Sequence, residues 1–285
     1  MDPKGKVVVI TGATSGLGQA AAVDFAKAGA KVFIVGRDAA RAQETLAQAK
    51  AAGGDAEVVL GDVSTRAGVR AVAEGLLAKA PKIDVLLNNA GGQFKTQVMT
   101  ADGLETTFAL NTFGAYLLEK QLHPALAAAK GRVVNVATGF LDHFPLVADD
   151  LPGPKKFSGF SQYARAKLAS VMMTVEQSKR YGAEGVTAIS VHPGIIMGTR
   201  FGGGQPALMQ TLFGPLMRAT GAACTLEEAV RRFRVACFDE IPTGAYVQKG
   251  APAPLPKQAN DEQVRSQVVA MLEKLSTGAA PTAQA

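Results

Sequence analysis

The sequence has no tryptophan, only four tyrosines, three histidines and two cysteines in 285 residues. Two isolated thiols, Cys224 and Cys237, cannot frame a disulfide scaffold or a zinc site, and they read as buried thiols in a reducing compartment. His123, His143 and His192 are scattered without metal-ligand spacing, so no metal is expected. No apolar run approaches the ~18 residues of a membrane span. The opening "MDPKGKVVVITGA" lacks a signal peptide's apolar core and cleavage site, and a cytoplasmic location is expected. Runs of one charge are missing too. A net charge of +6 raises the question of nucleic acid, but the positive residues come singly or in pairs among acids and apolar residues. The densest group, "RRFR" at 231–234, reads as a solvated helix face. Nucleic acid therefore ranks well behind a small phosphate-bearing ligand.

What is present is alternation. Short β-branched runs precede alanine-rich stretches: "KVVVIT" before 17–28, "KVFIVG" before 39–52, "AEVVLGD" before 65–79. "IDVLLNNA" then precedes a long helical region from about 102 to 129, and "RVVNVAT" a helix over 159–181, before "VTAISVHPG". Strands that are apolar throughout predict a parallel sheet covered by helices on both faces, a doubly wound α/β domain. No linker, repeat or charge block divides the chain. A single domain is expected over 1–277, with a disordered tail over 278–285. Two looser segments, 139–158 and 198–222, follow strand ends, where open α/β sheets bind ligands, and are the expected substrate loops. In and beside the second, Met197, Met209 and Met217 suit either a deformable apolar lid or ordinary packing.

"TGATSGLG" follows the first strand and opens the first helix. Gly12 permits a tight turn, Gly16 lets the backbone approach a pyrophosphate drawn to the helix N-terminus, and Gly18 permits close packing. Placed first in an alternating α/β chain, this predicts dinucleotide binding. An NAD site wants an acid at the tip of the second strand. Here Gly36 stands there, followed by Arg37, with Arg41 one turn on. A guanidinium suits a 2′-phosphate, and Asp38 sits where the next helix needs an N-cap, so NADP(H) is expected over NAD(H).

"SQYARAKLAS" puts Tyr163 four residues before Lys167, one helical turn apart, and "YLLEK" gives Tyr116 and Lys120 the same spacing. Spacing alone does not choose between the pairs.

Taken together and in order, these residues resemble the short-chain dehydrogenase/reductase family. "TGATSGLG", including Thr14, Ser15 and Leu17, is similar to its cofactor motif, Asn89-Ala90-Gly91 of "NNAG" to its sheet-stabilising motif, and "YARAK" to its YxxxK. "GDV" resembles the segment whose acid, here Asp62 beside Val63, meets the adenine, and "HPG" the turn that flanks the nicotinamide, here Pro193, Gly194 and, further on, Ile196 and Thr199. The family's fold is a Rossmann-type, mainly parallel sheet of seven strands. The inserted loop between "RVVNVAT" and Tyr163, with "SVHPG" and the C-terminal "TGAYVQKGAPAPLPKQANDEQVRSQ", resembles the retinol dehydrogenase and protochlorophyllide reductase branch, which mostly uses NADP and apolar substrates.

The resemblance implies a hydride-transferring oxidoreductase acting on a carbonyl or alcohol. Tyr163 is then the general acid or base, its phenol pulled down in pKa by Lys167 and the oxidised nicotinamide. Lys167 also holds the nicotinamide ribose, Thr138 donates to the carbonyl oxygen, and Asn111 helps hold a water linking Lys167 to solvent. Tyr116, with no hydroxyl-bearing strand end before it, reads as a packed tyrosine beside a solvated lysine. Two departures stand out: Thr138 where serine is usual, and Thr199 one residue after Gly198, where a hydroxyl is usual. The competing readings are a C=C reductase and a redox-sensing protein that holds NADP without turnover. The family's helix pairing implies a homodimer or homotetramer.

Overall fold

The six apolar runs become six parallel strands: β1 (Val7–Thr11), β2 (Lys31–Gly36), β3 (Asp55–Leu60), β4 (Val85–Asn88), β5 (Arg132–Val136) and β6 (Thr187–His192). The structure, a computed structural model, describes residues 2–196 and 223–278. The second expected substrate loop, with its methionines and Thr199, and the tail from 279 onward lie outside the described residues. β7 (Ile195–Ile196) and β8 (Ala223–Cys224) form a small parallel pair of their own. β9 (Tyr246–Gln248) adds a seventh parallel strand beside β6. Beyond the expected seven, β10 (Ala251–Ala253) pairs antiparallel with β9, giving an eight-stranded sheet in the order β3-β2-β1-β4-β5-β6-β9-β10. The hairpin turns on Lys249 and Gly250, at φ 51° and 83°, the positive pair that a tight two-residue hairpin needs. Three-residue strands carry too little pattern to be read from sequence, and Pro252 is tolerated because β10 is the edge.

Successive strand residues face opposite layers. Val8 and Ile10 pack with Phe25 of helix α1 (Gly16–Lys27), Ala42 of α2 (Ala39–Ala51) and Phe233 of the helix Leu226–Phe238. Val9 points the other way, into a core holding Val72 of α3 (Arg66–Leu77). Asp38 caps α2 as expected, its carboxylate accepting from Arg41 N at 3.1 Å. The long helical region starts at α4 (Thr106–Phe108), capped by the buried Glu105 carboxylate, which accepts from the Thr107 and Phe108 amides. It passes through a π turn, Ala109–Phe113, before α5 (Gly114–Ala129). α6 (Gly159–Tyr181) lies beside α5, and the C-terminal helix Glu262–Ser276 contacts both.

The order reverses at β1, which lies between β2 and β4, so the first glycine turn and the end of β4 open on the same crevice. This is where doubly wound sheets bind ligands.

Candidate active site

The phosphate end is built by close backbone approach. Gly12 turns at φ 64°, and a Cβ there would lie 2.8 Å from the Ala90 Cα. A Cβ on Gly18 would collide with Gly12 O and the Asn89 amide, so that glycine packs against the turn itself. Asn89 donates to Thr11 O at 2.9 Å and Gly12 O at 3.2 Å, and the Ala90 amide donates to the Thr11 hydroxyl at 3.0 Å, locking β4 to the turn. Gly16, at φ 54°, faces open space. Ser15, the N-cap of α1, makes no side-chain cap, and the first turn, which holds Leu17, carries no acid. The N-terminal amides are thus presented to an anion, and the site fits a dinucleotide pyrophosphate. Gly36 is needed by the same turn, since a Cβ would run into the Thr14 methyl.

At the expected adenine end, Arg37 Nη1 donates to the Asp62 carboxylate at 3.1 Å. The Ser64 hydroxyl and amide also donate to Asp62, at 2.7 and 2.9 Å. Burial works against ionisation of Asp62, but the two Ser64 bonds and Arg37 outweigh it and hold its pKa below the ordinary carboxylate value. Val63 is buried beside it, its carbonyl close against Gly114. Arg41 meets Asp38 at 3.4 Å, on the same exposed rim.

The chemistry-bearing groups converge where β5 ends. Tyr163 is 8% exposed, and the Thr138 side chain beside its phenol favours the ionised form. One turn along α6, Lys167 is buried and donates to Val136 O at 2.6 Å. Burial pushes the Lys167 ammonium down to about 7. It also pushes the Tyr163 phenol well up, and the Thr138 side chain opposes it only in part. The sequence reading anticipates a phenol drawn downward. The protein alone does the reverse, because both groups are desolvated and the Lys167 ammonium is spent on the Val136 carbonyl.

Asn111 sits in the π turn, donating to Gly92 O at 2.7 Å and Thr107 O at 2.8 Å and accepting from the Gly92 amide. A Cβ on Gly91 would lie 2.7 Å from Asn111 Oδ1 and 3.2 Å from Lys167 Nζ, so Asn111, Gly91 and Lys167 meet at one spot. Tyr246 joins the site from the far end of the chain: its hydroxyl donates to Thr138 O at 2.7 Å and accepts from Gln248 Nε2 at 2.8 Å. It lies in "TGAYVQKG", where nothing local dictates that β9 docks beside β6.

The control pair is elsewhere. Tyr116 is buried and its phenol hydrogen-bonds Glu273 of the C-terminal helix, and Lys120 donates to the same carboxylate at 2.6 Å. Lys120 is therefore an ion-paired residue and not simply a solvated one. The "RRFR" reading also needs correction: Arg232 is buried, and Arg234 pairs with Asp24 of α1 at 2.7 Å, because this helix lies flat on the sheet. Over 139–158 the chain makes two 3-10 turns, Leu141–His143 and Ala148–Asp150. Phe144 meets Phe160 edge-on at 5.3 Å, and Phe140, Val147 and Phe160 are exposed. His143 is exposed beside Phe140. Pro193 and Gly194 form the turn after β6, and Ile196 pairs with Cys224 through β7 and β8.

A doubly wound sheet with an uncapped, glycine-lined helix N-terminus at its switch point, beside a buried tyrosine and lysine and a half-buried threonine, defines a dinucleotide-binding oxidoreductase. The model of the short chain dehydrogenase family matches residues 6–206, and the chain belongs to that family, in its retinol dehydrogenase-like branch. Retinol dehydrogenase 12 of Mus musculus is 36% identical over 235 residues, 79% of this chain and 73% of the relative. Retinol dehydrogenase 14 of Mus musculus is 33% identical over 278 residues, 91% of this chain and 82% of the relative. Among solved structures, a short-chain dehydrogenase/reductase of unknown function from Caenorhabditis elegans, with cofactor, superimposes with a TM-score of 0.70 at 27% identity, covering 90% of this chain and 99% of that one. No helix among the described residues is long and apolar enough to cross a membrane.

Proposed function

We propose that this protein is an NADP(H)-dependent oxidoreductase that interconverts a carbonyl and an alcohol on an apolar substrate. The observation that carries the reading is the buried Tyr163 phenol beside the Thr138 side chain, one helical turn from a buried Lys167 that meets Val136 O and Gly91. The nicotinamide supplies or receives the hydride. Gly12, Thr14, Ser15, Gly16, Leu17 and Gly18 would hold the pyrophosphate. Arg37 and Arg41 would hold the 2′-phosphate, Asp62 and Val63 the adenine, and Asn89, Ala90 and Gly91 the middle of the crevice. Pro193, Gly194 and Ile196 would flank the ring.

Tyr163 protonates the carbonyl oxygen in reduction and takes the alcohol proton in oxidation. A phenol kept neutral by burial suits the acid role, and Thr138 donates to the same oxygen as negative charge develops on it. Lys167 and Asn111 connect this corner to the ribose and to solvent. The exposed Phe140, Val147 and Phe160 support an apolar substrate. The names of the retinol dehydrogenase relatives point the same way. The first location to examine is the cytoplasm. A dimer or tetramer would be built outside the part of α5 and α6 under the C-terminal helix, and light scattering reports it.

The test is NADPH oxidation over a panel of apolar aldehydes, ketones, quinones and enones. Turnover of carbonyls that stops in Tyr163→Phe is the expected result. Reduction of enones alone would replace the reading with C=C reduction, and cofactor binding without any turnover would replace it with a sensor.

A further inference from the structure

The carbonyl of Pro193, at the end of β6, is gripped from behind by a helix far along the chain. Arg232 Nη1 donates to it at 2.9 Å, and Cys224 Sγ approaches it at 3.4 Å. Gly194 follows at φ 105°, and a Cβ there would strike both the Arg232 guanidinium and the Cys224 sulfur. The turn and the guanidinium are therefore interlocked, since neither can change shape without displacing the other.

Arg232 is a costly way to make one bond. It is 9% exposed, no carboxylate lies within salt-bridge distance among the described residues, and its Nε is buried without a partner. The residues outside that set carry no acidic side chain. The other strongly buried guanidinium, Arg265, has Glu176 at 2.6 Å. An uncompensated buried cation is normally selected against, which leaves placement of the turn as what Arg232 provides. Its helix is well anchored, by the Thr225–Glu228 capping box, by Arg234 on Asp24, and by Phe238 edge-on to Phe25 at 5.0 Å. The same cation faces His192, whose imidazole lies against Gly139, next to Thr138. Burial, with Arg232, pushes that imidazole down to about 4, so it stays neutral at the wall of the site.

We infer that Arg232 is a positioning residue that holds the Pro193–Gly194 turn in the shape that receives the nicotinamide half of the cofactor. The inference rests on the NADP(H) reading above. A turn displaced by even ~1 Å misplaces the ring and can cost about a hundredfold in rate.

The test compares two probes on Arg232→Met and Arg232→Lys: NADPH, and 2′-phospho-ADP-ribose, which lacks the nicotinamide. NADPH should bind about tenfold or more weakly to Arg232→Met while the fragment stays within about twofold, and kcat should fall. Arg232→Lys, which keeps the charge and one donor, should recover part of both losses. If the methionine variant does not fold, the lysine variant carries the same comparison, with a smaller NADPH loss and an unchanged fragment. Equal losses for both probes, or none for either, would overturn the inference. A wild-type protein that binds neither probe would instead overturn the NADP(H) reading.

Discussion

The Thr138 side chain lies against the Tyr163 phenol at the end of β5 and favours its ionised form, bringing a helix to a strand end 25 residues earlier in the chain. This neighbour separates Tyr163 from Tyr116, which has the same spacing to a lysine but is turned onto Glu273. Tyr163→Phe should abolish turnover and leave NADPH binding within a few-fold, whereas Tyr116→Phe should stay active. Single-turnover rates that came out alike would make the assignment wrong.

Threonine at 138 keeps serine's hydroxyl and loses rotamer freedom. Thr138→Ser should remain within roughly tenfold of wild type, because the donor is retained and only its placement changes. Thr138→Val keeps the shape and removes the donor, and kcat should drop about 10²-fold or more, the scale of a lost oxyanion donor. A fully active valine variant would move the role elsewhere, to a loop hydroxyl such as Ser158 or Ser161.

Arg37 reaches Asp62 across an exposed pair, which in water is worth at most ~1 kcal/mol. A 2′-phosphate can therefore draw the guanidinium away with little loss. Arg37→Ala should weaken NADPH about tenfold or more and leave NADH nearly unchanged, as read by fluorescence titration. Tighter NADH than NADPH binding to the wild type would contradict the preference.

Lys167 predicts a pH dependence of stability. Its folded pKa, brought to about 7 by burial, lies below the ~10.4 of an unfolded lysine. Between those values the unfolded chain binds more protons, so stability rises with pH. Below pH 7 the cost of burying the ammonium is felt in full, and it is relieved as pH climbs toward ~10. Urea midpoints of the cofactor-free protein at pH 6.5, 8 and 9.5 should therefore rise relative to those of Lys167→Met, by up to about 3 kcal/mol in stability at ~1.4 kcal/mol per pH unit. Parallel curves would show that Lys167 keeps an ordinary pKa.

Much of this was legible in the linear chain. The six apolar runs, the glycine turn after the first of them, and the Asp38 cap depend on residues a few positions apart. Local sterics, strand periodicity and helix capping act over that range. The same range covers the one-turn spacing of Tyr163 and Lys167, though it does not choose between that pair and Tyr116 with Lys120. The rest depends on which distant surfaces pack together. Glu273 claims Tyr116 from 157 residues away. Tyr246 reaches the Thr138 carbonyl because β9 docks beside β6. Arg232 leaves an apparently solvated run to be buried under Pro193, since its helix lies on the sheet. Even the direction in which the Tyr163 phenol shifts was decided there: a charge's effect falls with distance and solvent, and only the packed structure sets how much water each group has lost.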